Sequence, residues 1–259
     1  MVWRWVSQGY SIMRVFLLGA TGNSGRRILR FALDRGHEVT ALVRDKSKLL
    51  RLIGSVPASL EIVPGDLGNA SETIAAVTGH DVVINAAGYV TEGATFTRLV
   101  QTTIDSASTA LGVGGRFWQF GGAAVLDIPG TGMKGVDLPM VPKVYEAHRT
   151  NLIALERSAL DWSMLCPGPM IEAPDGKPTP GLRVCANQWP MAPPAYTRLM
   201  PQVTLALAFK QAVPELTVSY EDAATIILDN LAKNGPFSRR RVGLALPAGM
   251  RNVKRDVPR

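Results

Sequence analysis

Gly19-Ala20-Thr21-Gly22-Asn23-Ser24-Gly25 is the segment of this chain whose residue types say most about chemistry. Glycines at this spacing let the backbone turn tightly, let a charged group approach main-chain N–H groups, and let a following helix pack closely on the preceding strand. The free N–H groups and positive end of such a helix attract an anion, a phosphate above all. The surroundings fit. Arg14–Leu18 is an apolar run ahead of the glycines, and Asn23–Arg35 follows with Ile28, Leu29, Ala32 and Leu33 at helical spacing. A strand, a glycine triplet and a helix within one βαβ unit predict the pyrophosphate cradle of a dinucleotide, made by Gly19, Thr21, Gly22, Asn23, Ser24 and Gly25.

About 20 residues further on, the second strand ends Leu42-Val43-Arg44-Asp45. A carboxylate at that strand end bonds the ribose 2′-hydroxyl of NAD, whereas a planar, permanently charged guanidinium suits the 2′-phosphate of NADP. Arg44 comes first, with Lys48 adding charge, so the expected cofactor is NADP; Asp45, one residue later, keeps NAD open. Two later strand ends, Gly65-Asp66-Leu67 and Asn85-Ala86-Ala87-Gly88, complete the expected cofactor set with Asp66, Leu67, Ala86, Ala87 and Gly88. Ligands of open α/β sheets lie outside the carboxyl ends of the strands, and small residues there let a ring approach the backbone.

Candidates for proton transfer lie later in the chain. Tyr145, His148, Leu152, Leu155 and Ala159 recur at helical spacing and share one face. Tyr145 or His148 could donate a proton to a substrate reduced by hydride; an imidazole with an ordinary pKa near 6.5 suits that role. A packed, hydrogen-bonded Tyr and His at a helix start is the structural alternative. His37 reads as a surface residue, and His80 as part of a turn. Cys166 and Cys185 match no metal or redox spacing, so no metal is expected. No nucleophile-elbow sequence accompanies a Ser/His/Asp set, which argues against hydrolysis.

The elements that must position these residues alternate in the first half: strands at 14–18, 38–43, 60–63, 81–85 and 116–120, with helices at 23–35, 46–53, 70–77 and 96–111 between them. Such repetition predicts a doubly wound parallel sheet of Rossmann type, covered on both faces. A helix over 143–160, a strand over 162–166, a helix over 221–233 and a strand over 242–246 follow. Prolines crowd residues 172–201, too densely for a core element, so this segment is expected as a substrate-side loop in which Trp189, Met191, Tyr196 and Met200 wall an apolar pocket or anchor a lid. The predicted organisation is an extension over 1–12, a dinucleotide-binding domain over 13–246 with that small C-terminal elaboration, and a basic tail over 247–259.

At 259 residues the chain needs no disulfide or metal staple, since a globule of this size buries roughly 75% of its unfolded surface. The net charge of +7 is concentrated at the end, where residues 239–259 hold seven Lys/Arg against one acid. A basic end on a near-neutral body reads as solvated and argues against a nucleic-acid partner. No apolar run reaches the roughly 20 residues of a membrane span, and the start lacks a signal-peptide pattern. A cytoplasmic location is expected, with a small-molecule substrate as partner and a homo-oligomer as a possibility.

The Gly-Ala-Thr-Gly-x-x-Gly at 19–25, Val43-Arg44, Gly65-Asp66-Leu67, Asn85-Ala86-Ala87-Gly88, the paired Gly121-Gly122, His148-Arg149 and Leu160-Asp161-Trp162 before Pro167 together resemble the atypical branch of the short-chain dehydrogenase/reductase superfamily over residues 13–246. Within it the look is similar to NmrA-like and flavin/biliverdin-IXβ reductase-like proteins. Typical members use Ser, Tyr and Lys, the last two four residues apart. Here Arg149 stands four residues after Tyr145, and Gly121-Gly122-Ala123-Ala124 offers no serine. An arginine can supply charge at that position but not the shape or bonding of a lysine. The resemblance implies an NADP-dependent oxidoreductase passing hydride to an apolar or aromatic acceptor. A non-catalytic nucleotide sensor of NmrA type is the second reading, and isomerase or dehydratase chemistry on retained NAD the third.

Overall fold

The computed structural model describes residues 11–139, 141–194, 197 and 201–253. Five short, apolar strands begin the sheet: β1 (Arg14–Leu18), β2 (Glu38–Val43), β3 (Leu60–Pro64), β4 (Val82–Asn85) and β5 (Arg116–Phe120). Helices α1 (Asn23–Asp34), α2 (Lys46–Ile53), α3 (Ala70–Val77) and α4 (Ala94–Leu111) connect them. Further on come α5 (Glu146–Arg157), β6 (Asp161–Cys166), β7 (Met170–Ile171), β8 (Arg183–Ala186), α6 (Pro201–Leu216), β9 (Val218–Ser219), α7 (Tyr220–Leu228) and β10 (Arg240–Ala245). The eight-stranded sheet runs β3-β2-β1-β4-β5-β6-β10-β8, parallel except for β8 against β10. β7 and β9 form a separate two-stranded piece.

The period of two along each strand explains the layering. Val15 and Leu17 point to the face covered by α1 and α7, where Ile28, Leu29, Ala32, Ala224 and Ile227 fill one core. Phe16 and Leu18 point to the other face, packed with Val100 and Ile104 of α4 and Leu152 and Leu155 of α5. Strands buried on both faces read as unbroken apolar runs, as β1 and β4 do. This is the doubly wound α/β architecture expected from the sequence. Among the described residues no helix is long and apolar enough to cross a membrane.

Several expectations need correction. The 172–201 segment is not wholly loop: it supplies β8, a proline-free stretch between Pro180 and Pro190 that closes one edge of the sheet. The helix expected over 143–160 begins as a single 3-10 turn, Lys143–Tyr145, and only then becomes α5. Helix α6 has no counterpart in the sequence reading. His37 is buried rather than at the surface, its Nδ1 accepting from the Met13 N–H at 3.2 Å. His80 does sit at a turn, with its ring nitrogens 3.0 Å from the Val77 carbonyl and 2.8 Å from Thr40 Oγ1.

The basic end is also less solvated than its composition implied. Arg239 donates to the carbonyls of Glu156, Ser158 and Leu160 around the C-terminus of α5, where a cation meets the negative end of the helix. Arg241 is buried. Its guanidinium donates to the Val125 carbonyl at 2.6 Å and to both oxygens of Asp127 at 3.1 and 2.8 Å, and Lys134 reaches Asp127 at 2.8 Å. Asn252 ties the segment after Pro247 back to Pro214 and Thr217. Arg240 and Arg251 are exposed, and residues 254–259, with Lys254, Arg255 and Arg259, lie outside the described residues.

Arg241 and Asp127 join the end of the sheet to the loop after β5. Asp127→Ala leaves the buried guanidinium short of its counterion, so stability in urea unfolding should fall by about 2 kcal/mol. A loss under about 0.5 kcal/mol, the range of an ordinary surface change, contradicts this reading.

Candidate functional site

The chain runs outward through β1, β2 and β3, then crosses back to β4, β5 and β6. The carboxyl ends of β1 and β4 therefore lie side by side at the point where the winding reverses, which is where open α/β sheets hold ligands. The loops leaving them touch through their backbones. Gly19 has φ +79°, and a Cβ there would meet the Ala86 carbonyl oxygen at 2.5 Å. A Cβ on Gly25 would stand 2.0 Å from the Gly19 carbonyl oxygen, and one on Gly22 3.3 Å from it. The Gly22 N–H closes the turn onto the Gly19 carbonyl at 2.9 Å.

Helix α1 then opens with Gly22 at its cap position. No side chain caps it, and its first turn holds no acid. Its leading N–H groups and positive end thus keep their affinity for an anion. Thr21, Gly22 and Ser24 are half-buried around this turn, while Asn23 is exposed and its amide donates to the Tyr220 hydroxyl at 3.4 Å. The cradle that glycine alone permits fits a dinucleotide pyrophosphate.

The other predicted cofactor positions sit along the same edge. Arg44 is exposed at the end of β2. Asp45 is committed elsewhere: it caps α2, its carboxylate accepting from the Lys48 N–H at 2.9 Å. Asp66 likewise accepts from the Gly68 N–H at 3.0 Å, and Leu67 packs into the core, so there the backbone is what a ring would meet. Ala86 and Ala87 are half-buried and Gly88 is exposed with φ +93°; a Cβ on Gly88 would strike the Phe96 ring at 2.6 Å. Buried Asn85 sets this loop, accepting from the Ala87 N–H at 3.0 Å and donating to Gln119 at 2.9 Å.

Tyr145 and His148 do come together, at the end of β5. Their rings stack with centroids 6.2 Å apart and 16° between planes, and Phe96 meets His148 edge-on at 5.7 Å. A Cβ on Gly122 would lie 3.1 Å from His148 Nε2, so glycine lets that loop run against the ring edge without displacing it. The ordinary imidazole pKa expected for His148 needs correction, because burial pushes it down to about 4. At neutral pH the ring is uncharged, able to donate from one nitrogen and accept at the other. Arg149 is held by Asp137 at 2.5 Å and Glu146 at 3.1 Å. Trp189 is buried, its indole N–H donating to the Ala123 carbonyl at 3.1 Å and its ring stacked on Phe209. It anchors the loop after β5, and with Met191, Pro190 and Val184 it also lines an open pocket beside β8. Tyr196 and Met200 lie outside the described residues.

The sequence reading missed the clamp beside the cradle. Arg26 and Arg27 of α1 both reach Glu172 at 2.5 Å, and Arg27 also reaches buried Glu221 at 3.0 Å. Arg30 donates to the Gly176 carbonyl, Glu221 accepts from the Ala173 N–H, and Asp222 from the Thr179 N–H. Hydrogen bonds from Arg27, with Arg26 adding, hold the Glu172 carboxyl below the ordinary range. The arginines of α1 stand 145 or more residues from the groups they reach in this clamp, which leaves no local signal.

The comparisons with known proteins agree with this geometry. Residues 19–184 match the NAD(P)H-binding family, well over half of the chain. The chain belongs to that NAD(P)H-binding family. Phenylcoumaran benzylic ether reductase PT1 of Pinus taeda is 37% identical over 81 residues, 29% of this chain and 26% of that protein. More generally, matches to the first curated relatives span only 22–28% of those proteins' length. Among solved structures, a Burkholderia pseudomallei protein provisionally described as exported superimposes with TM-score 0.68 at 28% identity, over 90% of this chain and 100% of that one. A wide-type short-chain dehydrogenase/reductase from Veillonella parvula, in complex with NADP, gives TM-score 0.67 at 17% identity over 95% and 100%, a likeness of fold.

Two outcomes follow. Gly25→Ala forces a methyl into the Gly19 carbonyl, backbone against backbone with nothing to rotate away, so nucleotide affinity should drop about tenfold or more; unchanged titration calorimetry contradicts the cradle. His148 binds its proton more weakly folded (about 4) than unfolded (6.5), so the unfolded state takes up more protons as pH falls between those values. The stability its neutral form supports is present above pH 6.5 and lost toward pH 4, by roughly 3 kcal/mol in all. Unfolding of His148→Gln across that window should show a correspondingly smaller acid loss, with buried His37 still adding in the same direction.

Proposed function

We propose that the chain is an NADPH-dependent oxidoreductase that passes hydride to a small apolar or aromatic acceptor. One observation carries the reading: the glycine cradle of β1, the small-residue loop of β4 and the Gly122–His148–Tyr145 group of β5 share one edge of the sheet, on three neighbouring strands. That spacing suits a dinucleotide lying along the strand ends with its reactive ring at β5. The preference for NADP rests on Asp45, whose carboxylate is spent capping α2, leaving exposed Arg44 for a 2′-phosphate.

Bound nicotinamide supplies the hydride. The chain supplies the rest: backbone N–H groups of α1 hold the pyrophosphate, and Gly121 and Gly122 let Met164 and His148 pack close at the end of β5. Negative charge on the acceptor oxygen is met by the Tyr145 hydroxyl or an N–H of neutral His148. The reductase names among the relatives support this class of reaction. Arg149 favours a second reading. With its guanidinium bonded to Asp137 and Glu146, it does not play the part of the usual lysine, which suits a nucleotide sensor that turns nothing over. Turnover against a panel of quinones, flavins and enones separates the two.

Calorimetric titration tests the cofactor assignment. NADPH should bind about tenfold tighter than NADH, and Arg44→Ala should level the two. An NADH preference indifferent to Arg44 overturns it.

A further inference from the structure

His148 and Asn151 stand one helical turn apart on the inward face of α5, 6% and 1% exposed. His148 Nδ1 and Asn151 Nδ2 are both shut off from solvent, and neither has a hydrogen-bond partner among the described residues. A buried polar atom left unpaired is costly, and native proteins rarely keep two on one face. Here the two are complementary. An amide nitrogen can only donate, and a neutral imidazole has one nitrogen that can only accept. Side chains three apart on a helix are neighbours, with Cβ atoms roughly 5–6 Å apart, a span one water or a small side-chain rotation closes.

The rest of the ring's surroundings fix its plane. Phe96 is edge-on and Tyr145 stacked, while the Cδ2–Nε2 edge runs along Gly122, where a Cβ would be 3.0 and 3.1 Å away. The ring therefore has one edge toward the end of β5 and one nitrogen, Nδ1, inside the protein. Which nitrogen carries the single proton decides whether the β5 edge donates or accepts.

We propose that Asn151 is a positioning residue: its amide N–H, directly or through one buried water, occupies His148 Nδ1 and so keeps the proton on Nε2, making the β5 edge of the ring a hydrogen-bond donor. A donor there suits an acceptor oxygen that gains charge as hydride arrives. This use of the tautomer rests on the oxidoreductase reading above, but the tautomer itself does not.

The test is 15N NMR of histidine-labelled protein at neutral pH, with His148 assigned by loss of its signals in His148→Gln. The wild type should show a protonated Nε2 and a bare Nδ1. Asn151→Asp, nearly isosteric, replaces the donor with an acceptor and should move the proton to Nδ1. With it, kcat should fall about tenfold or more while the KM for NADPH holds. Asn151→Ala, kept for the case that the aspartate variant does not fold, should shift the bare Nδ1 resonance downfield as its donor is lost. A wild-type ring protonated on Nδ1, or a His148 spectrum indifferent to both substitutions, overturns the proposal. The spectra need neither nucleotide nor turnover. An expected tautomer in a protein that reduces no acceptor thus upholds the positioning role and rejects the catalytic reading.

Discussion

Everything at the nucleotide edge depends on two backbones being allowed to touch. The loop leaving β1 passes so near the loop leaving β4 that a single methyl at Gly19 would lie 2.5 Å from the Ala86 carbonyl oxygen. The first turn of α1 sits equally close on the Gly19 carbonyl, at Gly25. Side chains at either place would push α1 off the strand and close the space that a pyrophosphate needs. The switch point of the sheet gives the cleft its location, and the glycines give it its depth.

Around that edge the protein places its buried polar groups with care. Asn85 and Gln119 shape the β4 loop, Arg241 and Asp127 hold the loop after β5, and Arg27 with Glu221 ties α1 to α7. Each joins segments far apart in the chain, and each leaves a neighbouring glycine loop in a fixed place. His148 differs from these, since its Nδ1, like the Asn151 Nδ2 one turn on, has no partner among the described residues. Burial keeps this ring beside Gly122 neutral, so at neutral pH it can hydrogen-bond but carries no charge.

The sequence made the first half legible because its physics is local. Apolar runs such as Val15–Leu18 belong to strands buried on both faces, and the glycine triplet needs its own strand and helix in order to make sense. The second half hides its logic in distance. Strand β8 lies amid prolines and earns its place only by pairing with β10, sixty residues on, and Arg241 looks like a solvated charge until Asp127 is brought to it. At the site, Arg44 and the Ala86–Gly88 loop could be picked out from strand ends. The depressed basicity of His148 and the capping role of Asp45 could not, because burial and a hydrogen bond to a particular N–H depend on the packed fold.

The central claim is that one dinucleotide lies along the ends of β1, β4 and β5, and a crystal structure of the NADPH complex tests it most directly. The account predicts the pyrophosphate on the first N–H groups of α1, the 2′-phosphate at Arg44, and the nicotinamide ring beside Gly122 and His148. A nucleotide seated away from the glycine turn, or a nicotinamide ring pointing away from β5, contradicts it.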